Sequence, residues 1–482
     1  MAGGNWSTTD MPVLPGFYMA FKAAAAAAIQ PGTRGVVAVP IRAHWGPTRD
    51  ITEIASENEA IETFSAVSEG GATAYSTLRL ALLGGANKVL AYRLSDGTDA
   101  AASVALKDTT ETPVNVLKLT ARYTGERGNE FKATVQTNAA DSSKKDLKLY
   151  EGATLLRTFT FAGGSIQEAV DSINGDSANK WIVAEKLSEG NGVLADIIGS
   201  AMTGGASGIN GIDNADYLAA FEAFETQSFN AFALDGVTDP ALQSSVLSWV
   251  TRIRSEGLGV IAVLGGSTSD DQAADAVAKA TARSATFNCE GIVNVGVGAK
   301  EGDVVYSSAQ LSAYVAGRIA GQSLSESTTY ASAPFADVSR RWTRSEQEQA
   351  VRGGVFLLVH DGRQVKALRG VNSLVSPGQG QNAAWKKIRT IRVLDTINSD
   401  LQRTAEDSYI GKVNNTEEGR LALIGACKQY LQSLAQSGVI EATGYNVYED
   451  KSIVAEADQV FLKWEARLTD VVEQIFGTFT VQ

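Results

Sequence analysis

Between residues 212 and 370 short apolar runs alternate with amphipathic stretches, and that alternation restricts this part of the chain to an α/β layer. Residues 230–234, 259–264 and 292–297 have the short apolar pattern of strands, the second closed by Gly265-Gly266. Residues 240–256, opened by Asp239-Pro240, and residues 270–283 and 309–320 have the period of helices. Strand, helix, strand in this order is the rhythm of a mostly parallel sheet with helical crossovers. The stretch closes at 355–368, two apolar runs joined by His360-Asp361-Gly362-Arg363, a hairpin signal.

A chain of 482 residues is too long for one hydrophobic core, so several domains are expected. The reading is a multidomain α/β chain. Residues 1–30 form an extended N-terminal arm, and 31–95 an α+β body with a first strand at 36–41, helices at 54–67 and 73–83, and a strand at 88–94. Residues 96–198 hold β-type runs at 114–120, 131–137, 147–150 and 155–161 between polar turns, which suggests an inserted β-sandwich or barrel. Residues 199–370 are the α/β domain, entered through the glycine-rich stretch 199–211, which reads as a linker. Residues 371–470 form a C-terminal α+β domain. Its first helix places Trp385, Ile388, Ile391, Leu394, Ile397 and Leu401 on one face. Its second starts at Asn415 with Glu418 as capping partner and ends at Gly438. Residues 471–482 form a C-terminal β-arm.

Both ends carry strand periodicity outside these bodies. In residues 11–22, Phe17, Met19 and Phe21 alternate with Tyr18 and Ala20; the six alanines 23–28 beyond them leave helix and extended chain both open. At the other end Ile475, Gly477, Phe479 and Val481 alternate with Phe476, Thr478 and Thr480, and residues 460–468 alternate in the same way. A strand without a partner is a template for the sheet edge of another chain. The twenty residues 11–30 span at most about 65–70 Å when extended, enough to cross a body of this size. Arms that reach different neighbours make heterologous contacts, which propagate as rings or helices.

The inventory for catalysis is thin. His44 lies in a turn and His360 at the hairpin tip. Cys289 and Cys427 have no partners at metal-ligand spacing and read as small core residues. Gly205-Ala206-Ser207-Gly208 is the nearest approach to a nucleophile elbow, no phosphate loop occurs, and Gly296-Val297-Gly298 opens no helix at dinucleotide-binding spacing. No catalytic, cofactor or metal residue is assigned. The net charge of −12 argues against nucleic acid or an anionic membrane as partner, and an uneven spread of that charge between bodies is expected. The first 22 residues lack a basic leader and no apolar run approaches bilayer length, so the expectation is a chain assembled in a cytoplasm.

Several segments resemble the tail sheath family of contractile bacteriophages and phage-tail-like bacteriocins, in the form found in phages and defective prophages of Gram-positive bacteria. They are Pro15-Gly16-Phe17-Tyr18; residues 31–40 with Trp45-Gly46-Pro47; Tyr123-Thr124-Gly125-Glu126-Arg127-Gly128-Asn129; residues 353–360 with Arg369-Gly370-Val371-Asn372-Ser373-Leu374; and the ending 475–481. The resemblance covers the chain in order. It implies a non-catalytic, subtilisin-like middle domain and no cofactor. Its further implication is a homo-oligomer of stacked hexameric rings, wound helically around a tail tube and contacting baseplate and tail terminator proteins, in a virion tail assembled in the host cytoplasm. Such a sheath contracts to drive the tube through the bacterial envelope for genome ejection. Arms of two neighbours would complete a sheet with a hairpin of a third subunit. Carried over by position, the N-terminal arm is Leu14, Phe17, Tyr18, Met19 and Phe21, and the C-terminal arm Ile475, Phe476, Phe479 and Val481. The receiving hairpin is taken as Val355, Leu357, Val359, Val365 and Leu368. The alternatives are a bacteriocin sheath or other contractile injection particle, a surface-array protein, and, from another class, an α/β hydrolase that would need His44 or His360 beside a serine and a carboxylate.

Overall fold

In the computed structural model, which describes residues 34–481 together with Gly3, Gly4, Phe17, Tyr18, Ala28, Ile29 and Gly32, a seven-stranded sheet draws strands from both ends of the sandwich sequence. In spatial order these are Val355–Phe356, Ile292–Val295, Ile261–Gly265, Ala231–Ala233, Val36–Ile41, Lys88–Arg93 and Ile51–Ile54. All neighbours run parallel except the last pair, which is antiparallel. Every residue of Val36–Ile41 is buried, as a central strand covered on both faces demands. The pleat still divides them. Val37, Val39 and Ile41 meet helices Ala74–Gly84, Ala276–Phe287 and Ser308–Gly321, whereas Val36 and Ala38 meet Asn214–Glu225 and Pro240–Ser255.

Local chemistry starts these helices. Asp239 caps Pro240–Ser255 with proline in the first turn, and Ser307 exchanges a capping box with Gln310. The helix expected over 270–283 is broken into Thr268–Gln272 and Ala276–Phe287, with Ala273 extended between them. The break leaves Asp271 turned inward, where its carboxylate accepts the N–H and the hydroxyl of Ser308, each at 2.6 Å.

The inserted domain is a β-sandwich. Four strands (Thr154–Ala162, Lys144–Glu151, Phe131–Thr137, Ile197–Ala201) face three (Ile182–Lys186, Asn115–Ala121, Ser103–Lys107). Leu117, Leu119, Phe131, Val135, Leu147, Leu149 and Phe159 fill the space between them, with helix Ile166–Asn174 packed alongside. The stretch 199–211 is not a free linker. Ile197–Ala201 pairs with Phe131–Thr137, Thr203 and Ala206 bridge to Ser103 and Ala100, and Met202 and Ser207 are buried. Glycine serves these turns and close approaches: Gly208 has φ +62, and a Cβ there would lie 2.7 Å from Ser95 Oγ.

A second, smaller compact unit comprises residues 397–470 with Gly32 and the other described residues before it. Helix Glu417–Gln436 is capped by Thr416, whose side chain accepts from Gly419 N–H, and not by Asn415, whose amide donates to the carbonyls of Ala457 and Gln459. Its buried face is Ala426, Cys427, Tyr430, Leu431 and Leu434, while Leu421 is exposed. Buried Asp400 accepts from the Tyr430 hydroxyl at 2.7 Å and from the Gly32 N–H at 2.6 Å. Of the alternating stretch 460–468 only Leu462–Glu465 forms a strand, paired antiparallel with Asn446–Glu449.

Candidate assembly surfaces

The arrangement that would revive a hydrolase is present in outline. His44 Nδ1 lies 2.8 Å from Ser207 Oγ and 3.7 Å from the Glu126 carboxylate. The geometry is wrong for catalysis. A triad needs serine and carboxylate on opposite ring nitrogens, whereas here both approach Nδ1, and Nε2 faces the Glu69 carbonyl at 3.0 Å. A carbonyl only accepts, so Nε2 carries the hydrogen and Nδ1 accepts from the Ser207 hydroxyl. Ser207 also accepts the Glu126 N–H and is 2% exposed, which leaves no place for a substrate carbonyl.

This cluster is instead a joint between sandwich and sheet. Trp45 meets Tyr123 and Phe131 edge to face, each at 5.3 Å, under the Arg127 guanidinium. Fully buried Arg93 donates to the carbonyls of Gly46, Thr124 and Ser207. Burial pushes its guanidinium down to about 10. The segments around Trp45 and Tyr123, noted separately in the sequence, are thus two sides of one contact.

His360 is the last residue of strand Leu358–His360, paired with Val365 at the edge of the turn and not at its tip, its Nδ1 accepting the Gly362 N–H. Burial pushes the Cys427 thiol up to about 12, and raises that of Cys289. Among the described residues no His, Cys, Asp and Glu group is placed to hold a metal, and no helix is long and apolar enough to cross a membrane.

The C-terminal segment is the most unusual surface. From Gln474 to Val481 every residue is exposed and none is in a strand. Ile475 (88%), Phe476 (90%), Phe479 (90%) and Val481 (82%) stand almost bare. Such side chains in series on a folded body mark an unfilled interface. Among the described residues no segment pairs with this backbone, so the alternation forms no strand. The segment is fastened at one point. Glu473, with a side chain only 9% exposed, accepts from Thr329 Oγ1 (2.8 Å) and from Arg369 Nη2 (2.9 Å) and Nε (3.1 Å), with Lys387 Nζ at 3.5 Å.

At the other end Phe17–Tyr18 pairs in parallel with Gly3–Gly4; Leu14, Met19 and Phe21 lie outside the described residues. The hairpin near 360 consists of Leu358–His360 and Val365–Ala367. Val355, Leu357 and Val365 are buried in the chain's own core, and Val359 and Leu368 pack against it. Among the described residues the outer backbone edge of Leu358–His360 has no strand neighbour and remains for another strand. Asn446–Glu449 and Leu462–Glu465 form a two-stranded sheet, each strand having a sheet neighbour on one side only among the described residues. The sequence pattern had singled out one of this pair and missed its partner, since Asn446-Val447-Tyr448-Glu449 is too short to show a period.

An inserted sandwich on a mostly parallel sheet and an exposed apolar C-terminal segment are features of a subunit that joins others. The chain belongs to the phage tail sheath family. Its residues 95–207 match the phage tail sheath protein beta-sandwich domain, 210–373 the central domain and 380–482 the C-terminal domain. It is 26% identical to the phage-like element PBSX protein XkdK of Bacillus subtilis, over 95% of each chain. Among solved structures it is similar to the sheath tail protein of Desulfitobacterium hafniense (TM-score 0.73, 26% identity, 95% of this chain and 98% of that one). It is also similar to the sheath tail protein Lin1278 of Listeria innocua (TM-score 0.69, 25% identity, 91% and 96%). It is a contractile-tail sheath protein of the phage or phage-like kind, a structural component and not an enzyme.

Proposed function

We propose that this subunit polymerises as stacked hexameric rings around a tail tube and, on a signal from the baseplate, contracts to drive the tube through a bacterial envelope. A terminator protein would close the far end, and neither nucleic acid nor a bilayer is a direct partner. The particle would be assembled in the host cytoplasm. The observation that carries this reading is the fully exposed apolar segment 474–481, which has no strand partner among the described residues. Burying its four large side chains against neighbours would contribute about 6–12 kcal/mol before the cost of ordering the arm.

The N-terminal arm, with Leu14, Phe17, Tyr18, Met19 and Phe21, would be the second exchanged strand. For the acceptor, the hairpin bearing Val355, Leu357, Val359, Val365 and Leu368 offers one backbone edge and no free side chains. The pair Asn446–Glu449 and Leu462–Glu465 offers an open edge on each side, one for each arm, and is the stronger acceptor. Inserted sandwich and non-catalytic sheet then act as bodies that reorient while the strand joints hold.

The test compares the full chain with one lacking residues 1–28, by sedimentation and negative-stain microscopy over a concentration series with added tail tube. Striated tubes from the first and a folded monomer from the second are expected. Identical small oligomers from both, at every concentration and with tube, would sink the proposal.

A further inference from the structure

We infer that Glu473 is the positioning residue for the C-terminal arm, an inference that rests on the proposed exchange of arms between subunits. Glu473 is the last of the described residues that the body holds. One carboxylate oxygen accepts the Thr329 hydroxyl; the other takes two guanidinium hydrogens from Arg369, with the Lys387 ammonium 3.5 Å away. The receiving groups are themselves fixed: Thr329 Oγ1 also accepts from the Gly370 N–H and the Ser327 hydroxyl, both at 3.0 Å. Arg369 and Gly370 open the segment 369–374, whose other members are buried structural residues; Asn372 donates to the Trp385 carbonyl and Ser373 to that of Cys289. A carboxylate against two cations and a hydroxyl is a charge-assisted clamp with a defined direction.

The arm beyond Glu473 docks correctly only if its direction and length are set. The eight residues 474–481 reach at most roughly 29 Å. They carry Ile475, Phe479 and Val481 on one side and Phe476 on the other, so a slip of one residue turns the wrong face to the acceptor. A root held at Glu473 fixes register and lowers the entropy lost on docking. A root released at Glu473 leaves a longer arm, free to meet the acceptor in several registers.

The experiment uses the full-length chain, seeded with tail tube. The variants are Glu473→Ala, Glu473→Gln, Arg369→Ala, the double variant Glu473→Ala/Arg369→Ala, and a chain ending at Glu473. The concentration at which tubes first form is read by sedimentation, and body stability by thermal melting. Glu473→Ala is expected to raise the onset concentration roughly tenfold with the melting temperature unchanged. Glu473→Gln, which still accepts from Thr329, falls between it and wild type. The double variant is no worse than Glu473→Ala, because both remove one interaction. Wild-type onset for Glu473→Ala, beside no tubes from the chain ending at Glu473, overturns the anchor and leaves arm exchange standing. Normal tubes from the chain ending at Glu473 overturn the C-terminal exchange and the anchor with it. A melting temperature that falls in step with assembly makes Glu473 an ordinary fold contact and also overturns the inference.

Discussion

Asp271 is 2% exposed and lies against the first turn of Ser308–Gly321, accepting two hydrogen bonds from Ser308 while desolvation pushes its carboxyl up to about 6. The raised value has a definite sign. Between pH 4 and 6 the folded chain holds the proton that the unfolded chain has released, so this residue's contribution falls as pH rises through that window. A shift from 3.8 to about 6 is worth about 3 kcal/mol at most. Asn at this position can keep one accepted bond and return the other to Ser308 Oγ. Asp271→Asn is therefore expected to gain about 2–3 kcal/mol on wild type between pH 4 and pH 7. Urea midpoints at the two pH values check this, and an unchanged difference would refute it. The sequence offered no hint of the buried acid: residues 270–271 look like an acidic first turn, and only the break at Ala273 turns Asp271 inward.

Among the elements, helices Ala74–Gly84 and Ser308–Gly321 pack backbone against backbone. A Cβ on Gly317 would lie 2.0 Å from the Ala81 carbonyl oxygen, and one on Gly84 would lie 2.1 Å from that of Tyr314. The backbones touch where glycine removes the side chain. Gly317→Ala should force the pair apart and cost about 2–3 kcal/mol, seen as a lower urea midpoint at unchanged slope. The strand–helix order over 230–320 was legible because parallel strands buried on both faces are short unbroken apolar runs. Phe131–Thr137 was legible as a β-type run between polar turns. The ending was legible only as a pattern: Ile475, Phe479 and Val481 have the period of a strand, but a strand is made by its partner, and none pairs with this segment among the described residues. Residues 355–368 were legible as a hairpin from their turn, but the burial of Val355, Leu357 and Val365 depends on tertiary packing that no local pattern reveals. Glu473 gave no signal, because a clamp formed with residues 329, 369 and 387 has no local spacing.

At the scale of the molecule, sandwich and sheet are tied through Arg93, His44 and Trp45 and through the strapped stretch 199–211. A protease that favours glycine-rich linkers should leave 199–211 uncut under native conditions while trimming 474–481 within the same digest, as mass spectrometry of the fragments would show. Early cutting near 204–208 with release of the sandwich would contradict this joint. The antiparallel bridge between Ala100 and Ala206 brings the ends of the sandwich together, so for the sheet beneath it more than a hundred residues act as a short connection.

That insertion also sets a timetable. Val36–Ile41 lies between Lys88–Arg93, made soon after it, and Ala231–Ala233, made 190 residues later. At ordinary rates of translation the ribosome needs roughly 10–40 s to cover that distance. For that interval the nascent chain carries a fully apolar strand with one side unpaired, while the sandwich folds in front of it. The first hazard a sheath subunit meets is therefore its own siblings on neighbouring ribosomes, and the interval is closed only when Ala231–Ala233 emerges.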